Sequence, residues 1–259
     1  MGRVSKLSRS VSGKVVLVTG AGSGMGEATA YVFSDEGARV AAVDQNRESV
    51  ERVVSAISAA GNTAKAWACD VSDRGAVDHM VESVVAEFGG LDILVNNAGI
   101  SAALPLESAE YDAAWARVLA VNLTAMTHTI RAALPHLRKS QSPRIINIAS
   151  TEGLGATAGN SPYTAAKHGV VGLTRSLALE LGREGITVNC ICPGPIRTGM
   201  TEPIPEEMKE RYARQRTALR RYGLPEEVAQ MTLSFALPAA SFLTGVAVPV
   251  DGGLTIRRA

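Results

Sequence analysis

Tyr163 and Lys167 stand four residues apart in Tyr-Thr-Ala-Ala-Lys, directly after Ser161 and Pro162. Serine and proline favour the start of a helix, so the pair falls in the opening turns of one. Four residues advance a helix by about 6 Å and about 400°, which leaves both side chains on one face. A phenol ionises near pH 10 and is a poor base at neutral pH. Bringing it to about 7 takes roughly 3 units, or about 4 kcal/mol. An ammonium about 4 Å away, at an effective dielectric constant of about 20, supplies about 4 kcal/mol. The pair is therefore adequate for moving a proton on and off an oxygen. The spacing is common by chance, so its meaning rests on its surroundings.

A second constellation lies near the start of the chain. Thr19-Gly-Ala-Gly-Ser-Gly-Met-Gly26 follows an apolar run and opens a stretch of helix length. Met25 breaks the spacing G-x-G-x-x-G; the pattern that fits is T-G-x-x-x-G-x-G, with Gly20, Gly24 and Gly26. A turn of this kind leaves backbone N–H groups open to a pyrophosphate, and the following helix turns its positive dipole end toward the same point. Gly20, Ser23, Gly24, Met25 and Gly26 are what this turn offers a dinucleotide. Asp44 closes the next apolar run, and a carboxylate there accepts the ribose hydroxyls of adenosine and repels a 2′-phosphate. Gln45 follows it and Arg47 is the cation nearby, so NAD is expected, with NADP the lesser alternative.

Other reactive residue types carry less. Cys190 and Cys192 alternate along a strand-like run, and with Cys69 they read as small buried residues with no metal partners in sequence. His79, His128, His136 and His168 lack partners at metal spacing and read as ordinary helix residues. No metal site is expected. Glu152 lies two residues past Ser150 on a glycine-rich loop, either facing a polar substrate or simply solvated. Residues 206–222 hold six basic and three acidic side chains, a net of +3. Glu207 with Arg211 and Glu210 with Arg214 are i,i+4 pairs, which describe a solvated helix better than an anion trap.

These groups need a scaffold, and the chain has one grammar throughout. Strand-like runs at 14–19, 39–44, 63–70, 91–96, 144–149, 187–191 and 246–250 are almost continuously apolar, as parallel strands covered on both faces are. Helical stretches fall between them at 24–36, 48–60, 73–88, 107–138 with a break, 161–183 and 205–222. The reading is an α/β domain: a single Rossmann-type, doubly wound sheet of seven parallel strands with helices on both faces. With 259 residues, 46% of them hydrophobic, the chain supports one such domain over 13–259 without disulfides. A formal charge of +1 gives no reason to expect nucleic acid, and no apolar run is long enough for a membrane span. Residues 1–12 read as a flexible tail rather than a secretory leader, and the setting as cytoplasmic.

Taken in order, 19–26, Cys69-Asp70-Val71, Asn96-Asn97-Ala98-Gly99, Asn122, Ser150, Tyr163 with Lys167, and 193–198 resemble the short-chain dehydrogenase/reductase family, in its single-domain branch of about 250 residues. The resemblance spans roughly 13–253. It implies that Tyr163 is the general acid/base and that Lys167 lowers its pKa and holds the nicotinamide ribose. Ser150 is implied as donor to the substrate oxygen, and Asn122 as the break in its helix that holds a relay water. Asp70 and Val71 are implied at the adenine, Asn97, Ala98 and Gly99 at the adenosine ribose, and Pro193, Gly194, Ile196 and Thr198 near the nicotinamide. Ser150, Tyr163 and, more weakly, Glu152 would meet the substrate. A flap near 196–223 would cover it, with 101–106, 152–160 and 200–222 shaping the pocket.

The activity implied is hydride transfer between NAD(H) and a secondary alcohol or ketone. A 3-oxoacyl-carrier-protein reductase shares every motif but usually takes NADPH, which Asp44 opposes. A catalytically silent NAD-binding sensor or scaffold is the non-enzymatic alternative. Partners are a small-molecule substrate and, by resemblance, further copies of the chain in a homotetramer.

Overall fold

The computed structural model describes Val4 and residues 6–257. Seven strands run through it: β1 (Val15–Thr19), β2 (Arg39–Asp44), β3 (Ala64–Ala68), β4 (Ile93–Asn96), β5 (Arg144–Ile148), β6 (Thr187–Pro193) and β7 (Ala247–Val250). All neighbours pair in parallel, in the order β3-β2-β1-β4-β5-β6-β7. The sheet thus winds outward in two directions from the β1–β4 boundary, and a crevice opens there at the carboxyl ends of the strands.

Eight α-helices lie among the described residues: α1 (Gly24–Asp35), α2 (Arg47–Ala59), α3 (Arg74–Phe88), α4 (Tyr111–Leu119), α5 (Ala125–Leu137), α6 (Ser161–Leu181), α7 (Glu206–Arg216) and α8 (Pro225–Ala236). Alternation along β1 shows why both faces are needed. Val15 and Leu17 join a cluster with α3, α5 and α6, while Val16 and Val18 join one with α1, α2 and α8. All five β1 residues are buried. Either face left bare would expose an apolar surface that only water could meet.

Several boundaries differ from the sequence reading. The break expected within 107–138 is a π turn, Ala120–Thr124, which joins α4 to α5. The helix expected over 205–222 stops at Arg216: Thr217 is extended, Leu219 N–H donates to Gly252 O, and Arg220 takes a left-handed φ of 58°. That segment is drawn out of the helix by its bond to the turn after β7. Helix α8 has no counterpart in the expected set. Its start was legible: Pro225 precedes Glu226 and Glu227, and Glu227 accepts from the Leu224 N–H at 2.8 Å. The expected tail 1–12 is anchored at its inner end, since Val11 is buried and Ser8 O accepts from Ala239 N–H. Residues 1–3, 5, 258 and 259 lie outside the described residues.

A buried polar chain ties the sheet to the helices behind the site. Asn96 Nδ2 donates to Asn147 Oδ1 at 2.9 Å, Asn147 Nδ2 to Thr174 on α6 at 3.0 Å, and Thr129 on α5 to Asn96 Oδ1 at 2.6 Å. Asn147→Ala strands two buried groups at once, Asn96 Nδ2 and the Thr174 hydroxyl. We expect it to lower the unfolding free energy by about 3 kcal/mol. Urea denaturation of the two proteins measures this, and a loss below about 1 kcal/mol would remove the network from the list of stabilising contacts.

Candidate active site

Helix α6 carries Tyr163 and Lys167 as the four-residue spacing requires. Pro162 occupies its first turn, and Lys167 faces inward with Ala166, Val170 and Val171. Lys167 is buried, and its Nζ donates to the Ile148 carbonyl at 2.8 Å, at the end of β5. Ser150 follows on the next turn, where its hydroxyl accepts from Glu152 N–H at 3.1 Å and lies near enough to the Tyr163 phenol to favour its ionised form. Strand β5 and helix α6 therefore bring Ser150, Tyr163 and Lys167 together, although thirteen residues separate the serine from the tyrosine in sequence.

The electrostatics differ from the simple pair argument. Lys167 Nζ lies 5.5 Å from the centre of the Tyr163 ring, and it donates to the Ile148 carbonyl rather than to the phenol. Burial pushes the Tyr163 phenol up, the Ser150 hydrogen bond opposes this, and the Glu152 charge adds to the rise. Burial also lowers the Lys167 ammonium to about 8. In this structure, then, the lysine is the group moved toward neutral pH. The 4 Å cation assumed from sequence does not hold the tyrosine at 7.

A cavity of about 400 Å³ runs from this pair to the glycine-rich turn. Its walls include Gly20, Ser23, Gly24 and Met25, then Asp44, Asp70 and Val71, then Asn97, Ala98 and Gly99, and finally Tyr163, Lys167 and Thr198. Thr19 sets the turn: its hydroxyl accepts from the Asn97 and Ala98 N–H groups at 3.0 and 3.1 Å, which locks the end of β4 to the end of β1. Gly26 is required by close approach, because a Cβ there would sit 2.0 Å from Gly20 O.

The lining suits a dinucleotide. Asp44 accepts from the Gly22 and Asn46 N–H groups, one on each carboxylate oxygen, at 2.9 Å. A carboxylate has about four acceptor sites, so two stay open for ribose hydroxyls. Asn97 donates through Nδ2 to the Thr19 and Gly20 carbonyls, while its buried Oδ1 has no partner and awaits a donor. Arg47 pairs with Glu51 on the surface, so the cation nearest Asp44 in sequence is already engaged.

Some expected residues fall elsewhere. Gly26, Ser150, Pro193, Gly194 and Ile196 are off the cavity wall: the Ser150 hydroxyl accepts from Glu152 N–H at 3.1 Å just behind Ala149, Gly194 packs on Asp251, and Ile196 is buried against Gly223. Asn122 sits fully buried in the π turn, its Oδ1 accepting from Ile100 N–H and its Nδ2 donating to Ile100 O, both at 2.8 Å. Its amide pins the 97–101 segment beside Lys167. Glu152 accepts from Thr157 N–H, Thr157 Oγ1 and Thr164 Oγ1 at 3.0, 2.6 and 2.5 Å, so its carboxylate braces the 151–160 loop against α6. Of the two i,i+4 pairs expected near the flap, only Glu210 with Arg214 is among the described ion pairs; Arg197 instead reaches Glu206. The wall also contains Met200, from the stretch expected to shape the pocket, and Arg117, which no motif marked. The three cysteines are buried and free, and no cluster of three or more His, Cys, Asp or Glu among the described residues could hold a metal ion. Nor is any described helix long and apolar enough to cross a membrane.

A family model described as enoyl-(acyl carrier protein) reductase matches residues 20–255. The chain belongs to the short-chain dehydrogenase/reductase family. It is 42% identical to a meso-2,3-butanediol dehydrogenase of Serratia marcescens, over 93% of this chain and 94% of that protein. It is 39% identical to a 3-oxoacyl-(acyl-carrier-protein) reductase of Thermotoga maritima, over 95% and 99%. A solved dehydrogenase/reductase from Sinorhizobium meliloti superposes with a TM-score of 0.89 at 39% identity, over 95% of this chain and 97% of that one.

Burial of Lys167 yields a stability prediction. Its folded pKa of about 8 lies below the 10.5 of a free lysine, so the folded state disfavours the charged form. That cost is present in full below about pH 8 and disappears as pH rises toward about 10.5. Lys167→Met removes it but leaves the Ile148 carbonyl without its donor, so a net gain of about 1–2 kcal/mol is expected at pH 6, shrinking by pH 10. Thermal melts at the two values measure it. A variant less stable than the parent at pH 6 would reverse the assignment of burial as the dominant cause.

Proposed function

We propose that this protein interconverts a secondary alcohol and a ketone with NAD(H). The observation that carries the reading is the cavity that joins Tyr163 and Lys167 to the open carboxylate of Asp44, with Ser150 next to Ala149 of its wall. Bound along that cavity, the nicotinamide would take up or supply the hydride. The Tyr163 hydroxyl exchanges a proton with the substrate oxygen, and the Ser150 hydroxyl donates to the same oxygen as its charge grows. Lys167, with its ammonium near 8, is poised to hold or release a proton beside the phenol. Asn122 has the role of positioning residue in this scheme, since its side chain is spent on Ile100. Ile148, Ala149 and the Asn97–Gly99 segment exclude water from one side.

A second reading is reduction of a 3-oxoacyl thioester on a carrier protein, supported by the likeness to the Thermotoga maritima 3-oxoacyl-(acyl-carrier-protein) reductase. Asp44 favours NADH in either case. The setting is taken as cytoplasmic and the protein as a homo-oligomer, a tetramer by resemblance, which would cover the exposed Leu179 and Phe242.

NADH oxidation measured by absorbance with a panel of ketones and a 3-oxoacyl thioester separates the readings. Catalytic efficiency with NADH is expected to exceed that with NADPH by at least about a hundredfold, or about 2.7 kcal/mol. Tyr163→Phe should lower kcat by about a thousandfold or more, while NADH still binds. Equal efficiencies with the two cofactors would remove the Asp44 argument, and NADH binding without any turnover would favour a silent sensor.

A further inference from the structure

The glycine-rich turn is gripped from outside the cavity by a group that no motif marks. Arg52, on the second turn of α2, donates from both terminal nitrogens to Glu27 on α1, at 2.7 and 2.9 Å. One of those nitrogens also donates to the Gly22 carbonyl at 3.0 Å. Glu27 is steadied by the Tyr31 hydroxyl at 2.9 Å. On the other side of the same residue, Gly22 N–H donates to Asp44 at 2.9 Å. The turn passes so close to α2 that a Cβ on Gly22 would lie 2.3 Å from Ser49 Oγ.

This grip has a directional consequence. The Gly22–Ser23 peptide is trans, so its N–H points opposite to its carbonyl. Arg52 is absent from the cavity wall, whereas Ser23 is part of it. A carbonyl held outward by Arg52 therefore turns the Ser23 N–H inward, and no acceptor among the described residues takes that N–H. The amide is a free donor at the positive end of α1, where a pyrophosphate is best received. Glu27 fixes the guanidinium in a two-pronged bond that a lysine could not reproduce.

We propose that Arg52, locked by Glu27, is a positioning residue that presets the Ser23 amide for the pyrophosphate of the dinucleotide. The arrangement rests on the reading that a dinucleotide occupies this cavity. Without Arg52 the Gly22–Ser23 peptide can rotate, and the donor must be ordered again at each binding event. The loss therefore falls on ligands that carry the pyrophosphate, not on the adenosine end held at Asp44.

The test is direct binding to the full-length protein of NADH, read by nicotinamide fluorescence, and of ADP-ribose and adenosine, read by competition. For Arg52→Ala, NADH and ADP-ribose are expected to bind about tenfold more weakly and adenosine within about twofold of the parent, the scale of one charge-assisted hydrogen bond. Arg52→Lys recovers part of the loss, because one ammonium reaches Gly22 O without the fork to Glu27. Glu27→Gln, which keeps acceptor and shape but drops the charge, serves where Arg52→Ala does not fold, and should weaken NADH about threefold. A parent protein that does not bind NADH overturns the underlying reading. A parent that binds NADH, with variants that match it, overturns this proposal. So does an equal loss for all three ligands, which would make Arg52 a general brace for α2.

Discussion

The hydroxyl of Thr19 joins the ends of β1 and β4, and the site depends on that junction. A parallel sheet wound in both directions from one boundary must leave a gap where neighbouring crossovers depart to opposite faces. Here the gap would splay the two strand ends without a cross-link. Thr19 supplies one acceptor to two successive amides, and Asn97 answers with its side chain on the Thr19 and Gly20 carbonyls. The turn below and the 97–99 segment above are thereby set at a fixed separation. The glycine-rich and 97–99 walls of the cavity hang from those two edges.

On the other flank the fold tolerates an unfavourable charge. Lys167 is buried among Ala166, Val170 and Thr174, with a carbonyl as its bonded partner. Removing an ammonium from water is costly, and no carboxylate repays it directly. Such a cost persists where surrounding packing is strong enough to bear it, and the buried Thr129–Asn96–Asn147–Thr174 chain provides that rigidity. Stability and proton chemistry thus pull in opposite directions at one side chain.

The loops around the mouth are braced from within. Glu152 spends its carboxylate on Thr157 and Thr164, and Asn122 spends its amide on Ile100. Both are polar groups near the reacting centre whose chemistry is consumed in holding backbone. A polar residue close to a site is therefore as often part of its frame as part of its chemistry. Reading them from residue type alone invites the opposite conclusion.

Alternation and period made the seven strands, their parallel sense and most helices legible in the sequence, because burial on two faces dictates apolar runs and an amphipathic helix between them. The glycine spacing, Asp44 at the end of β2, and Tyr163 with Lys167 on one helix face were legible for the same reason: they are local. Helix α8 is signalled locally by Pro225 and its two glutamates, but it lies close behind the segment that α7 leaves extended, so the sequence shows no clear gap between the two. What only the tertiary structure decided is pairing between distant segments: Ser150 with Tyr163, Arg52 with Gly22, Arg117 and Met200 on one wall, and the end of α7 pulled open by Gly252. The depth of Lys167, and so the direction of its pKa, was decided there too. Local sequence sets the period of burial; solvent exclusion and cross-chain hydrogen bonds arise only when segments far apart in the chain meet.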